Sequence, residues 1–143
     1  MKQQLNDSTI RCILVRPHKL PEIIQTNNSI LSFEKGVGGT VEKILIPELG
    51  DKIVLLVRKE GSVFTPEKNR PLFDDKGNPY DCIYGSFFIV GTDGGTFRSL
   101  NDRELVTALR LYEQPYKIII DDNNNHFIAC IPEEPSEMEA VQC

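Results

Sequence analysis

Histidine is scarce in this chain: of 143 residues, only His18 and His126 carry an imidazole. They show no metal-ligand spacing to each other or to a cysteine, and both read as surface or strand-edge residues. The four cysteines, at 12, 82, 130 and 143, include no C-x-x-C pair, so a zinc knuckle or a thioredoxin-type dithiol has no support. No stretch approaches the roughly 18–20 apolar residues of a membrane-spanning helix. The start, Met1 to Arg11, is polar and lacks the apolar centre of a signal peptide. Basic charge is also short, with 16 Lys and Arg against 21 Asp and Glu, a net charge of −5. That balance argues against a general nucleic-acid groove.

Catalytic motifs are missing in the same way. There is no G-x-S-x-G elbow and no Walker-type phosphate loop. Gly91-Thr92-Asp93-Gly94-Gly95 fits neither G-x-G-x-x-G nor a P-loop, and its glycines read as turn geometry. Asp74-Asp75 and Asp121-Asp122 are adjacent aspartates in loops, the pattern of solvated turns rather than of a metal site. No nucleophile is paired with a base. The expectation is a binding protein, with no enzyme activity, metal or cofactor.

What is present is an ordinary globular composition, 40% hydrophobic and 26% charged, and a length suited to one domain. Cys12, Cys82 and Cys130 lie among apolar residues, where free cysteine behaves as a small hydrophobe. With no export signal, a reducing cytosol is the expected compartment. Four acidic residues and no basic ones fall between Glu133 and Cys143, so the rest of the chain carries a formal charge of only −1. This end reads as a solvated acidic tail; the other reading is an acidic arm that competes for a basic site on a partner.

Strand patterns occupy residues 10–16, 21–26, 40–46 and 52–58, the last with five consecutive apolar residues and therefore buried on both faces. Asn27 to Ser29 offer a cap for a short helix carrying Ile30, Leu31 and Phe33 and ending at Gly36. Residues 65–79 are turn-rich. Tyr80–Tyr84 and Ser86–Val90 are one bent strand or two, divided by Gly85. Asn101 and Glu104 form a capping-box pattern ahead of a helix over about 102–113, whose stripe is Leu105, Ala108, Leu109 and Tyr112. Residues 116–121 and 126–131 form a hairpin. The expected fold is a single α+β domain over residues 10–131, with a mixed, mostly antiparallel sheet of about six or seven strands and two short helices. A flexible N-terminus (1–9) and the acidic tail (132–143) flank it.

The polar segment Pro66-Glu67-Lys68-Asn69-Arg70-Pro71-Leu72 stands out, because residues 58–70 carry a local charge of +2 in a negative chain. Arginine presents a rigid fork of donors, and asparagine reads polar edges through both amide groups. Beside the aromatics that follow, such a loop holds a nucleotide by stacking and phosphate pairing. The candidate ligand set is Asn69, Arg70, Arg58, Tyr80, Asp81, Tyr84 and Phe87. The competing reading is structural: Arg70 ties the loop to Asp74, Asp81 or a carbonyl.

Three pieces of sequence then combine: Asn69-Arg70-Pro71-Leu72; Gly77-x-x-Tyr80-Asp81-x-Ile83-x-Gly85-x-Phe87-Phe88-Ile89-x-Gly91; and Ser99-Leu100-Asn101-Asp102. Over residues 10–113 the chain resembles the family called domain of unknown function 3846. The resemblance implies a small protein of phages, plasmids or conjugative elements with no assigned catalytic site. Two functions suit that setting. One is an anti-defence sponge that binds a nucleotide-derived immune signal without cleaving it, its site built within one chain or between protomers of a homo-oligomer. The other is an anti-CRISPR or nuclease inhibitor acting on a host defence protein through a protein surface. A regulatory accessory protein is a third. The expected partner is a small nucleotide-type signalling molecule, with no nucleic acid and no membrane.

Overall fold

The computed structural model describes residues 9–59, 67–121 and 126–136. All but Thr9 of the expected N-terminal segment, and residues 137–143 of the expected tail, lie outside these.

Ten strands occur among the described residues. The main sheet contains β1 (Thr9–Val15), β2 (Glu22–Asn27), β3 (Val41–Ile44), β4 (Ile53–Arg58) and β7 (Phe87–Asp93) in the order β2-β1-β7-β4-β3, with the short β8 (Thr96–Arg98) paired to the end of β7. Every pairing is antiparallel. Two hairpins stand apart as two-stranded sheets: β5 (Lys68–Phe73) with β6 (Pro79–Tyr84), and β9 (Tyr116–Asp121) with β10 (His126–Pro132). The helices are α1 (Ile30–Val37) and α2 (Asp102–Tyr112). The α+β architecture of one mostly antiparallel domain with two helices is therefore present.

The central strands β4 and β7 are apolar at nearly every position and buried on both faces. Antiparallel sheets more often leave one face wet. Here each face has its own cover. On one face α1 seats Phe33 against Phe88, ring centroids 5.1 Å apart and edge to face, with Cys12, Val54, Leu56 and Val90 around them. On the other, α2 lays Leu105, Ala108 and Tyr112 against Ile13, Leu55, Phe87 and Ile89. Burying each such side chain is worth about 1.5–3 kcal/mol. The alternation of side chains along a strand assigns successive residues to opposite cores.

Both helix starts follow their caps. The Ser29 hydroxyl accepts from Ser32 N at 3.2 Å. At α2 the Asn101 side chain accepts from Glu104 N at 2.8 Å, and Glu104 Oε1 accepts from Asn101 N at 2.9 Å, a complete capping box. The first helix runs past Gly36 and stops at Gly38, whose φ of 84° is left-handed. Gly36 instead lies beneath the Phe88 ring, which occupies the space a Cβ would need.

Ten strands exceed the expected six or seven, and two of them, β5 and β8, fall where no strand pattern is read. β5 falls where the prolines read as turns. Because β5 pairs only with β6, Pro71 has no second neighbour to which its missing N–H is owed. β8 has only three residues, too few to show a pattern. Gly85, φ 76°, separates β6 from β7, so the two apolar runs are two strands in different sheets.

Residues 132–136, assigned by sequence to the tail, contact the body. Pro132 closes β10, Glu133 N donates to Pro115 O at 3.1 Å, and Ser136 N donates to His18 O at 2.6 Å. His18 has a left-handed backbone, φ 66°, and its Nδ1 lies 2.5 Å from Glu133 Oε2.

Candidate functional site

β5 opens with Lys68 and then turns two polar side chains inward. Asn69 and Arg70 are the buried polar or charged residues among those described, 0% and 1% exposed. A buried polar group must find partners or pay heavily in desolvation. Asn69 Nδ2 donates to Val15 O at 3.0 Å and to Gly85 O at 2.8 Å, joining β1 to the β6–β7 junction. Its Oδ1 accepts from Arg70 Nη1 at 2.9 Å. Arg70 continues the network, with Nε donating to Tyr112 O at 3.0 Å and Nη2 to Lys19 O at 2.6 Å. The pair thus binds both ends of the fold: β1, the turn after it, and the last residue of α2. The carbonyl reading of Arg70 is correct, and the Asp74 and Asp81 readings are not. Asp74 Oδ1 accepts from Lys76 N and Asn78 N within its own turn, and Asp81 Oδ1 accepts from Cys82 N.

All three acceptors of Arg70 are neutral. Burial lowers its pKa to about 10, an effect partly opposed by Glu133, so the group remains a cation at neutral pH. Each nitrogen donates once in these contacts. A guanidinium carries five N–H bonds, so one on each terminal nitrogen is not used by them.

Arg70 also lines a cleft of about 110 Å³ between the Ile44–Glu48 segment, the β5–β6 hairpin, the end of α2 and the start of β9. Aliphatic walls come from Ile44, Leu45, Ile46 and Leu72, and aromatic ones from Phe73, Tyr80, Tyr112 and Tyr116. Phe73 and Tyr116 meet edge to face at 6.4 Å. Glu48 and Gln114 supply the other polar side chains apart from the phenols. The Gln114 amide donates to Pro115 O and Glu133 O, both at 2.8 Å, which fixes that wall. Burial raises the Tyr112 and Tyr116 phenol pKa values, so both stay protonated at neutral pH. The cleft is thus aromatic and aliphatic, with a buried cation on one side and a carboxylate on another.

The residues chosen from sequence divide four ways. Arg70 and Tyr80 line this cleft, and Tyr80 is 61% exposed. Asn69 stands behind Arg70 and orients it. Phe87 does not line the cleft: it is fully buried, packed edge to face on Tyr112 at 5.3 Å. Arg58, Asp81 and Tyr84 do not line the cleft. Arg58 ends β4 and lies over Gly38 and Gly39; a Cβ on Gly39 would sit 3.1 Å from its Nε. The aromatics of this stretch therefore do not all converge, because Gly85 divides it and Phe87 belongs to a different sheet from Tyr80.

Sequence reasoning missed Glu48, Gln114 and Tyr116, and it assigned Tyr112 to the core stripe alone. Tyr112 does both jobs: it is 5% exposed and lines the cleft. The available signal was the cluster of Tyr112, Gln114 and Tyr116 around the helix-ending Pro115.

Among the described residues no group of three or more His, Cys, Asp or Glu side chains is placed to hold a metal ion. No described helix is long and apolar enough to cross a membrane. Neither the curated proteins nor the solved structures contain a match to the chain. One family does match, the one described as Domain of unknown function (DUF3846), over residues 10–115. That range runs from β1 through α2 and takes in Asn69, Arg70 and most of the cleft walls. The chain belongs to this family.

Proposed function

We propose that the protein is a mobile-element anti-defence protein that binds a nucleotide-derived immune signal in the Arg70–Tyr80 cleft and sequesters it without cleaving it. One observation carries the reading: a buried guanidinium with only neutral hydrogen-bond partners lines an aromatic cleft. Such a group supplies positive potential in a low-dielectric setting, where it acts more strongly than in water. Tyr80 adds an exposed ring for stacking. The mobile-element setting comes from the resemblance stated for the sequence.

The test is isothermal titration of the folded protein against a panel of mononucleotides, linear and cyclic oligonucleotide signals and adenosine-diphosphate-ribose-type compounds. Mass spectrometry then checks that the bound compound is recovered intact. Saturable binding that Tyr80→Ala weakens, with ligand recovered unchanged, is the expected result. No binding across the panel overturns the proposal, and recovery of a cleaved product overturns the sequestration part of it.

A protein-inhibitor reading draws on the rim of the same cleft, where Leu45, Phe73, Tyr80 and Leu111 are large, apolar and exposed. Stable capture of a purified defence nuclease, lost in Leu45→Asp, would favour it.

A further inference from the structure

We propose that the outer edge of β2 is an interaction surface for a second copy of this chain: two β2 strands pair antiparallel about a two-fold axis through Ile24 and join two main sheets into one. This goes beyond the ligand reading and stands or falls without it.

In the order β2-β1-β7-β4-β3, the two edge strands are β2 and β3. β2 pairs with β1 through all six of its residues, from Glu22 opposite Leu14 to Asn27 opposite Thr9. Alternate residues of such a ladder aim their N–H and C=O groups away from the partner strand. Among the described residues no strand receives them on the outer side of β2. A row of unpaired donors and acceptors is a template for another strand.

The two edges are not alike. β3 has four residues, and its middle two, Glu42 and Lys43, are charged and exposed. Shortness and charge are what keep an edge from pairing. β2 is longer, and from Ile23 to Asn27 it holds no charge and no proline. Its register with β1 runs without a bulge. Ile23 lies opposite Ile13, so it shares the α2 face, and at the edge it is 49% exposed. Ile24 lies opposite Cys12 and packs on the rim of the α1-side core.

Symmetry selects the second copy as the occupant. A two-fold axis normal to the sheet pairs residues of the same face, so it passes through a residue and not between two. Through Ile24, it sets Ile24 against its own copy, Ile23 against Gln25 and Glu22 against Thr26. The rims of the two α1-side cores then meet at the Ile24 pair. An axis through Gln25 would put an amide at the centre instead. Glu22, the one charge of the strand, faces a neutral residue across the axis and already accepts from Arg16 at 2.8 Å. No like charges are opposed within the paired strands, a condition that cross-strand pairing requires. The cleft keeps its Ile44–Glu48 wall, which begins at the end of the other edge strand, β3.

The experiment is sedimentation equilibrium of the full chain from about 1 μM to about 1 mM, with amide hydrogen exchange followed at both ends of that range. A reversible monomer–dimer equilibrium is expected, with exchange at residues 22–26 slowing as the dimer forms. Ile23→Lys puts a charge on the pairing edge and enters the dimer twice, so it should weaken association roughly tenfold or more. Ile23 is half exposed, so the variant keeps the fold, and its melting curve checks this. Should it melt early, Gln25→Lys, also at an exposed position, takes its place. Glu42→Gln, on the other edge, should leave the dimer unchanged. A chain that stays monomeric throughout overturns the proposal. So does a dimer that the β2 lysine variant leaves intact, one that Glu42→Gln weakens, or one whose β2 amides exchange as fast as in the monomer.

Discussion

Arg70 donates from Nη1 to the side-chain oxygen of Asn69 at 2.9 Å, and the two residues, neighbours in sequence, are both sealed from solvent. Neighbours on a strand ordinarily face opposite ways. The register of β5 shifts between Lys68 and Arg70, and that irregularity lets both turn inward. One strand thus supplies a wall of the cleft and the brace behind it.

Asn69→Ala removes three hydrogen bonds and strands the carbonyls of Val15 and Gly85 in the interior. An unsatisfied buried group costs about 1–3 kcal/mol. The variant should lose roughly 2–4 kcal/mol in urea unfolding, with the slope unchanged. Any ligand affinity should fall as well, because Arg70 loses its brace. A loss below about 0.5 kcal/mol would show that the network does not hold the fold.

Gly36→Ala separates propensity from packing. In an exposed helix the change gains roughly 1 kcal/mol. Here the new methyl group would overlap the Phe88 ring, itself pinned by Phe33. Overpacking costs about 1–3 kcal/mol, so the melting temperature should fall rather than rise.

Glu104 gives acid sensitivity. Its hydrogen bonds from Arg98, at 2.9 and 3.0 Å, hold the carboxyl pKa below its usual range, and the Asn101 backbone contact adds to this. A carboxylate depressed in the folded state stabilises it above the unfolded pKa, about 4.3, and that contribution is lost as pH falls through the folded value. Urea midpoints should hold from neutral pH to about 5 and drop below about 4. Glu104→Gln should be less stable at pH 7, and its acid loss should be shallower than that of wild type.

Thiol labelling tests the cores. Burial raises the Cys12 pKa to about 12 and that of Cys82 to about 11. At pH 8 both should resist iodoacetamide in the native protein and react fully in urea, as read by mass spectrometry of tryptic peptides. Rapid native labelling of Cys12 would contradict its place between α1 and the sheet.

Local chemistry was legible before the fold was known. The run Ile53–Val57 announced a strand buried on both sides, and Asn101 with Glu104 announced the start of α2, because each signal depends on neighbours within a few residues. β5 was not legible. Its prolines read as turns, and only an edge position with a single partner makes Pro71 acceptable there. The sequence also marked Asn69, Arg70 and Tyr80 as unusual, and all three stand at the cleft or directly behind it.

By itself, then, the sequence determined the composition of two cores, the helix caps, the low net charge of the body and the family to which the chain belongs. Tertiary structure decided which polar residues face a cleft and which serve the interior. It withdrew Phe87 into the core, sent Arg58 over Gly38 and Gly39, and brought Glu48, Tyr112 and Tyr116 to Arg70 from two distant parts of the chain. The reason is physical. Strand alternation and hydrogen-bond demand are local rules, but the partner that satisfies a buried donor is chosen by packing, and packing depends on the whole chain at once.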